Sequence, residues 1–229
     1  MKNRKIWVML VGLFTALTSG FMGTTLTFAE ENEASQTIEQ PSYISDFPNQ
    51  VGHWQDLVGT AEKKNDSAGL WIANTKQGTN LESVSINLDA REQSSGDLEL
   101  TFLYEGQSNF GLVFRGDKQK TSQWQSFAYN RDGRWQLGQP GGKWLTNIPG
   151  PTLLSGQQYK LLVRYDGKKI QTFLNDQLFY ENEEVHYPDG TSINDDWTGA
   201  VGIRLFGNLS KLNIISMKSG SVGSIPVID

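Results

Sequence analysis

Asp97 and Glu99, two residues apart in GDLELTF, are the pair in this sequence most like acid–base machinery. On a strand their side chains share a face. Two acids about 5–5.5 Å apart flank the bond that a retaining glycosidase breaks. The E-x-D-x-E or E-x-D-x-x-E pattern of sandwich glucanases is not completed, because Thr101 and Phe102 stand where a further acid would be. A solvated strand edge accounts for the pair more simply. The only histidines are His53 and His186, and neither G-x-S-x-G nor H-E-x-x-H occurs. Structural or surface roles suit both histidines better than catalysis. The absence of cysteine excludes disulfides, a thiolate nucleophile and cysteine–zinc sites. No catalytic set is assigned. The turn-rich PDGTSINDDW gathers Asp189, Asn194, Asp195 and Asp196. These are hard oxygen donors suited to a structural calcium, but such clusters are more often plain turns, since Asp and Asn favour turn geometry.

The remaining chemistry is that of binding. In FGLVFRG, alternation sets Phe110, Leu112 and Phe114 on one face and Gly111, Val113 and Arg115 on the other. An arginine on so apolar a strand needs a partner or a ligand. Among small residues it would either close a surface salt bridge at the strand end or fork onto vicinal hydroxyls, held by an acid and covered by aromatics. Seven tryptophans are a high count, and sugar C–H faces stack on such rings, although a sandwich core also buries them. Trp197 differs: it follows Asp195 and Asp196 in a polar loop that also holds His186 and Tyr187.

The elements that position these residues are read from pattern. MKNRK, a long apolar run and the small residues Thr27 and Ala29 form a secretory signal peptide over residues 1–29, and secretion follows. Its removal takes Lys2, Arg4 and Lys5 with it, so the formal net charge goes from −5 to −8. That disfavours nucleic acid or an anionic membrane as partner and is compatible with an uncharged polysaccharide. Residues 30–49 and 219–229 read as polar linkers, and 50–218 as one domain. Eight β-rich runs lie in that domain: 98–104, 110–115, 123–129, 134–138, 159–165, 169–174, 199–206 and 212–217. Turn residues separate them, most clearly Asp166-Gly167. The expected fold is all-β, a two-sheet antiparallel sandwich or jelly roll.

The runs DLELTFLYEGQSNFGLVFRG, WQSFAYNRDGRWQLGQ, GQQYKLLVRYDGKKIQTFLNDQLFY and TGAVGIRLFGN resemble the family 66 carbohydrate-binding modules, within the concanavalin A-like sandwiches. The resemblance spans about residues 82–217. It implies a non-catalytic module gripping the terminal fructose of β-fructans such as levan, and accompanying a family 32 glycoside hydrolase. It carries over Arg115 as ligand contact, then Tyr187 and Trp197 as aromatic contacts. Asp89 or Glu92, in LDARE, would supply the acid that meets a sugar hydroxyl or Arg115 itself. The family 32 signature W-M-N-D-P-N is absent. The chain is thus expected as a free-standing module or the N-terminal part of a longer enzyme. The alternatives are a glycoside or keto-glycoside hydrolase on the same sandwich, using Asp97 and Glu99, and a surface adhesin.

Overall fold

All eight expected runs are strands. The computed structural model describes residues 42–44, 51–67, 69–74 and 81–228. The signal peptide and most of the 30–49 segment lie outside the described residues. In chain order the strands are β1 (Ser42–Ile44), β2 (Trp54–Val58), β3 (Glu62–Asp66), β4 (Gly69–Ala73) and β5 (Glu82–Asn87). Then come β6 (Gly96–Tyr104), β7 (Asn109–Gly116), β8 (Gln125–Tyr129), β9 (Trp135–Gln139) and β10 (Lys143–Ile148). The last five are β11 (Gln157–Asp166), β12 (Lys169–Leu174), β13 (Gln177–Asn182), β14 (Ala200–Phe206) and β15 (Lys211–Gly220).

They form two antiparallel sheets. One runs β13-β12-β11-β6-β15-β4-β3, with β1 also paired to β15; the other runs β10-β9-β8-β7-β14-β5-β2. The two are called the eight-strand and seven-strand sheets below. Alternation decides their packing. Phe110, Leu112 and Phe114 of β7 point between the sheets with Phe127 and Tyr129 of β8, and Leu100 and Phe102 of β6 meet them from the other side. Phe102 meets Phe110 edge-on at 4.8 Å, and Phe114 stacks on Tyr165 at 4.7 Å, both across the sandwich. Each such ring, fully buried, contributes about 2–3 kcal/mol.

The outward side of the seven-strand sheet is built differently. One cross-strand row reads Val84, Arg204, Gly111, Ala128 and Gln136; the next reads Ile86, Gly202, Val113, Ser126, Gly138 and Trp144. Small residues dominate the middle of both rows. A second, minor apolar cluster of Leu57, Val84, Ile86, Val113, Trp124 and Ala200 covers this side.

The ends of the domain differ from the linker reading. Strand β1 lies within the 30–49 segment and pairs with β15, Ser42 opposite Ser219. The 219–229 stretch docks instead of leaving. Ile225 is buried against Leu162 and Phe173. Its N–H donates to Oδ2 of Asp97 at 3.1 Å, and its carbonyl accepts from Arg164. The physical reason is two apolar residues, Ile225 and Val227, in a tail that otherwise looks polar.

Candidate functional site

Arg115 stands at a bulge. Ala200 pairs with Gly116 and Gly202 with Val113, so Phe114 and Arg115 together face Val201. Arg115 takes φ 56°, in the left-handed region. The bulge breaks the alternation expected for FGLVFRG. Gly116 takes the outward place, where an added Cβ would lie 3.6 Å from Cγ1 of Val113. The Arg115 guanidinium turns to the aromatic side instead, 5.3 Å from the Tyr165 ring and 5.8 Å from that of Phe114.

There it is fully buried, with 0% exposure. Nε donates to the Ser94 carbonyl at 2.6 Å, and Nη2 to that of Gly167 at 2.7 Å. Nη1 donates to Oε1 of Gln125 at 2.8 Å and to the Asn194 carbonyl at 3.2 Å. Three loops are thus tied by one side chain: the β5–β6 loop, the β11–β12 turn and the segment before β14. Burial pulls the guanidinium below its ordinary pKa, while Tyr165, Asp195 and Asp166 oppose that shift.

Tyr187 belongs to the same network. Its hydroxyl donates to Oε1 of Gln139 at 3.3 Å, which also accepts from Nε2 of Gln125 at 3.3 Å. With 3% exposure it presents no ring face to solvent, and burial raises its pKa. Asp89 and Glu92 do not reach Arg115, because carbonyl and amide oxygens take its donors. Asp89 sits 2.5 Å from Nδ1 of His53, and Glu92 sits 3.1 Å from Lys118. Glu92 also lines a polar recess of about 350 Å³ with Gln93, Ser94 and Thr198. Trp197, next to Thr198, is half-buried. The structure therefore joins Arg115 to Tyr187 and leaves Asp89, Glu92 and Trp197 outside that network.

The carboxylate pair is placed clearly. Asp97 has 0% exposure and a two-pronged bond to Arg164, 2.8 Å at each prong. Glu99 is 3.1 Å from Lys218. Both acids are committed to ion pairs, and Asp97 lies beneath the C-terminal tail, so neither is a solvated edge nor open to a substrate. In the Asp-rich loop, Asp189 accepts from the amide and hydroxyl of Thr191, and Oδ1 of Asn194 accepts from the Asp196 amide. Among the described residues no three His, Cys, Asp or Glu side chains converge to hold a metal.

A second buried arginine lines a hollow. Arg204 of β14 points outward from the seven-strand sheet and is 7% exposed. Its Nε donates to Oε1 of Glu82 at 2.5 Å. Its Cζ lies 4.2 Å from the ring centres of both Trp144 and Phe206, and 5.5 Å from that of Trp124. Nη1 is buried and has no hydrogen-bond partner. Burial pulls this guanidinium below its ordinary pKa, and Glu82 opposes the shift. Glycines make the room. Gly111 stands opposite Arg204, and the Trp144 ring lies on Gly138, where a Cβ would come within 2.0 Å of it. Trp144 and Phe206 are half-buried.

Two hollows adjoin at Glu82. One, about 280 Å³, is lined by Val58, Glu82, Thr121, Trp124 and Trp144; the other, about 340 Å³, by Leu81, Glu82, Arg204, Phe206 and Gly207. Aromatic flanks, a forked donor and a carboxylate acceptor are together the groups that hold a sugar ring. Sequence reasoning passed over Arg204, Glu82, Trp144 and Phe206 as a group. One signal was present: GAVGIRLF sets Gly202, Arg204 and Phe206 on one face, the same motif of arginine among small residues that singled out Arg115. The meeting of Trp144 with Arg204 depends on the sheet order and has no local signature.

No protein-family model matches the chain. It is 99% identical over all 229 residues to a protein named hyaluronate lyase HylB from Enterococcus faecalis (strain ATCC 700802 / V583), and spans 23% of that protein's length. Among solved structures it is similar to the carbohydrate-binding module CBM66 of Bacillus subtilis. That match has a TM-score of 0.50 and 16% identity, and covers 69% of this chain and 94% of the module. It is also similar to a Bacillus subtilis protein of unknown function with a galectin-like fold. There the TM-score is 0.56 and the identity 13%, covering 80% of this chain and 97% of the other. The chain has the sandwich fold of carbohydrate-binding modules. Nothing in these likenesses points to a family 32 hydrolase.

Proposed function

We propose that the chain is a non-catalytic glycan-recognition domain of a secreted hyaluronate lyase. In this reading it holds a polysaccharide against the outer face of the seven-strand sheet. The observation that carries it is Arg204, which lies against Trp144 and Phe206, keeps an unpaired Nη1 and lines one of the two hollows that adjoin at Glu82. The burial of Asp97 under an ion pair supports the non-catalytic part. The lyase context is supported by the 99% identical protein of that name, and secretion by the leader over residues 1–29.

Fructan recognition rests on the resemblance to family 66 alone, and a likeness at 16% identity bears on fold rather than ligand. Hyaluronan is therefore the first ligand to test, with levan as comparator. Binding is expected to be weak, about −4 to −8 kcal/mol, because each hydroxyl exchanges water for protein at small net gain. Affinity electrophoresis in gels containing hyaluronan, levan or inulin tests the reading. Retardation by at least one of them, with no product released from any, is the expected result. Free migration in all three would overturn it.

A further inference from the structure

This inference rests on the glycan reading and names the chemistry that the site selects. Arg204 does not offer a bare positive charge. Glu82 neutralises it at 2.5 Å, and the guanidinium lies 4.2 Å from the centres of two aromatic rings. A second carboxylate arriving there would meet Glu82, whose side chain is 31% exposed and lines both hollows. It would also approach a chain of net charge −5. Like charges at that range repel, and desolvating another anion adds to the cost. What the pair lacks is one acceptor for the buried Nη1. What it offers beside that is a carboxylate that accepts. A hydroxyl accepts and donates at once, and two vicinal hydroxyls span a guanidinium–carboxylate pair without adding charge.

We propose that the Arg204–Glu82 pair is a subsite for a vicinal diol of a sugar ring, read without contact to any carboxylate that the polymer carries. On an acidic polysaccharide the domain then reads the hydroxyl face of the chain and leaves the carboxylate in water. A site that read the carboxylate would instead present an unpaired cation and would weaken in salt. Glu82→Gln creates that unpaired cation while keeping shape and size.

Calorimetric titration of the chain with hyaluronan and with carboxyl-reduced hyaluronan tests this. Expected are affinities within about threefold for the two polymers, and little change from about 50 to about 500 mM salt, where screening of a charge contact would show. Glu82→Gln is expected to lose about tenfold for the reduced polymer and to make binding of the native polymer salt-dependent. Loss of binding on carboxyl reduction, or a steep salt dependence of the unmutated chain, would overturn the diol assignment and leave the glycan reading standing. Failure of both polymers and of levan to bind would overturn the glycan reading and the subsite together.

Discussion

Arg115 and Arg204 sit on neighbouring strands of one sheet and are both buried, yet their surroundings are opposite. Arg115 donates four hydrogen bonds, three of them to backbone carbonyls. It is fully buried, and each of its three nitrogens donates. Arg204 donates to one carboxylate, leaves Nη1 unpaired and borders a hollow. A guanidinium saturated with carbonyls fixes loops; one held by its π-faces with a donor to spare is poised for a ligand. Burial alone does not distinguish structural from binding arginines. The count of satisfied donors does.

The sharpest way to break this contrast is Arg115→Met. Removing the fork strands the carbonyls of Ser94 and Gly167 and Oε1 of Gln125, while the Asn194 carbonyl keeps Nε2 of Gln125 as its donor. We expect a loss of about 3–5 kcal/mol, read as a lowered midpoint in urea. Glycan affinity per folded molecule should stay unchanged. Retained stability would mean that the three loops do not depend on the knot.

Alkali should act at the same end. Tyr165, packed beside Arg115, has its pKa pushed up to about 12, first by burial, against an ordinary value of 10.0. A buried tyrosine raised in this way stabilises the neutral form. Its contribution is complete below the unfolded value and is lost as the pH rises toward the folded one. Stability should hold to about pH 10, and Tyr165's own share of the loss by about pH 12 is about 2–3 kcal/mol, beside that of Tyr104, which is also raised to about 12. Tyr165→Phe should lessen the loss by that share, the other raised tyrosines keeping theirs. An unaltered profile in the variant would assign the alkaline loss elsewhere.

A smaller effect belongs to the outer face. Gly138→Ala puts a methyl within 2.0 Å of the Trp144 ring and must shift it. We expect glycan affinity to fall about fivefold, with a stability loss of about 1–3 kcal/mol from overpacking. Unchanged affinity would show that the seat of Trp144 does not matter to binding.

The sequence was most legible at the centre of the sheets and least at their rims. All eight strands read from apolar runs are present; the seven overlooked are β1, β2, β3, β4, β5, β10 and β13, and four of them, β2, β3, β10 and β13, are the path ends of the two sheets. Rim strands bury one side or less, so polar runs such as EKKND and QLFYEN carry no apolar pattern. Site residues were lost to a different cause. One bulge, invisible in FGLVFRG, turned Arg115 from the outer face to the inner one. Arg204, on a strand without a bulge beyond Gly202, kept the face that alternation assigns it. Phe206 and Gln125 lie near their arginines in the chain, but Ser94, Gly167 and Asn194 in loops, Glu82 on β5 and Trp144 on the edge strand β10 are distant, and the fold brings them together.

The central claim is that Arg204 and its aromatic clamp, not the Arg115 knot, make the glycan contact. Titration of Trp144→Ala with hyaluronan oligosaccharides, beside the unmutated chain, tests it most directly. The account predicts a loss of at least about tenfold in affinity, while the variant still melts in one cooperative transition. An undiminished affinity in a folded Trp144→Ala variant would contradict it.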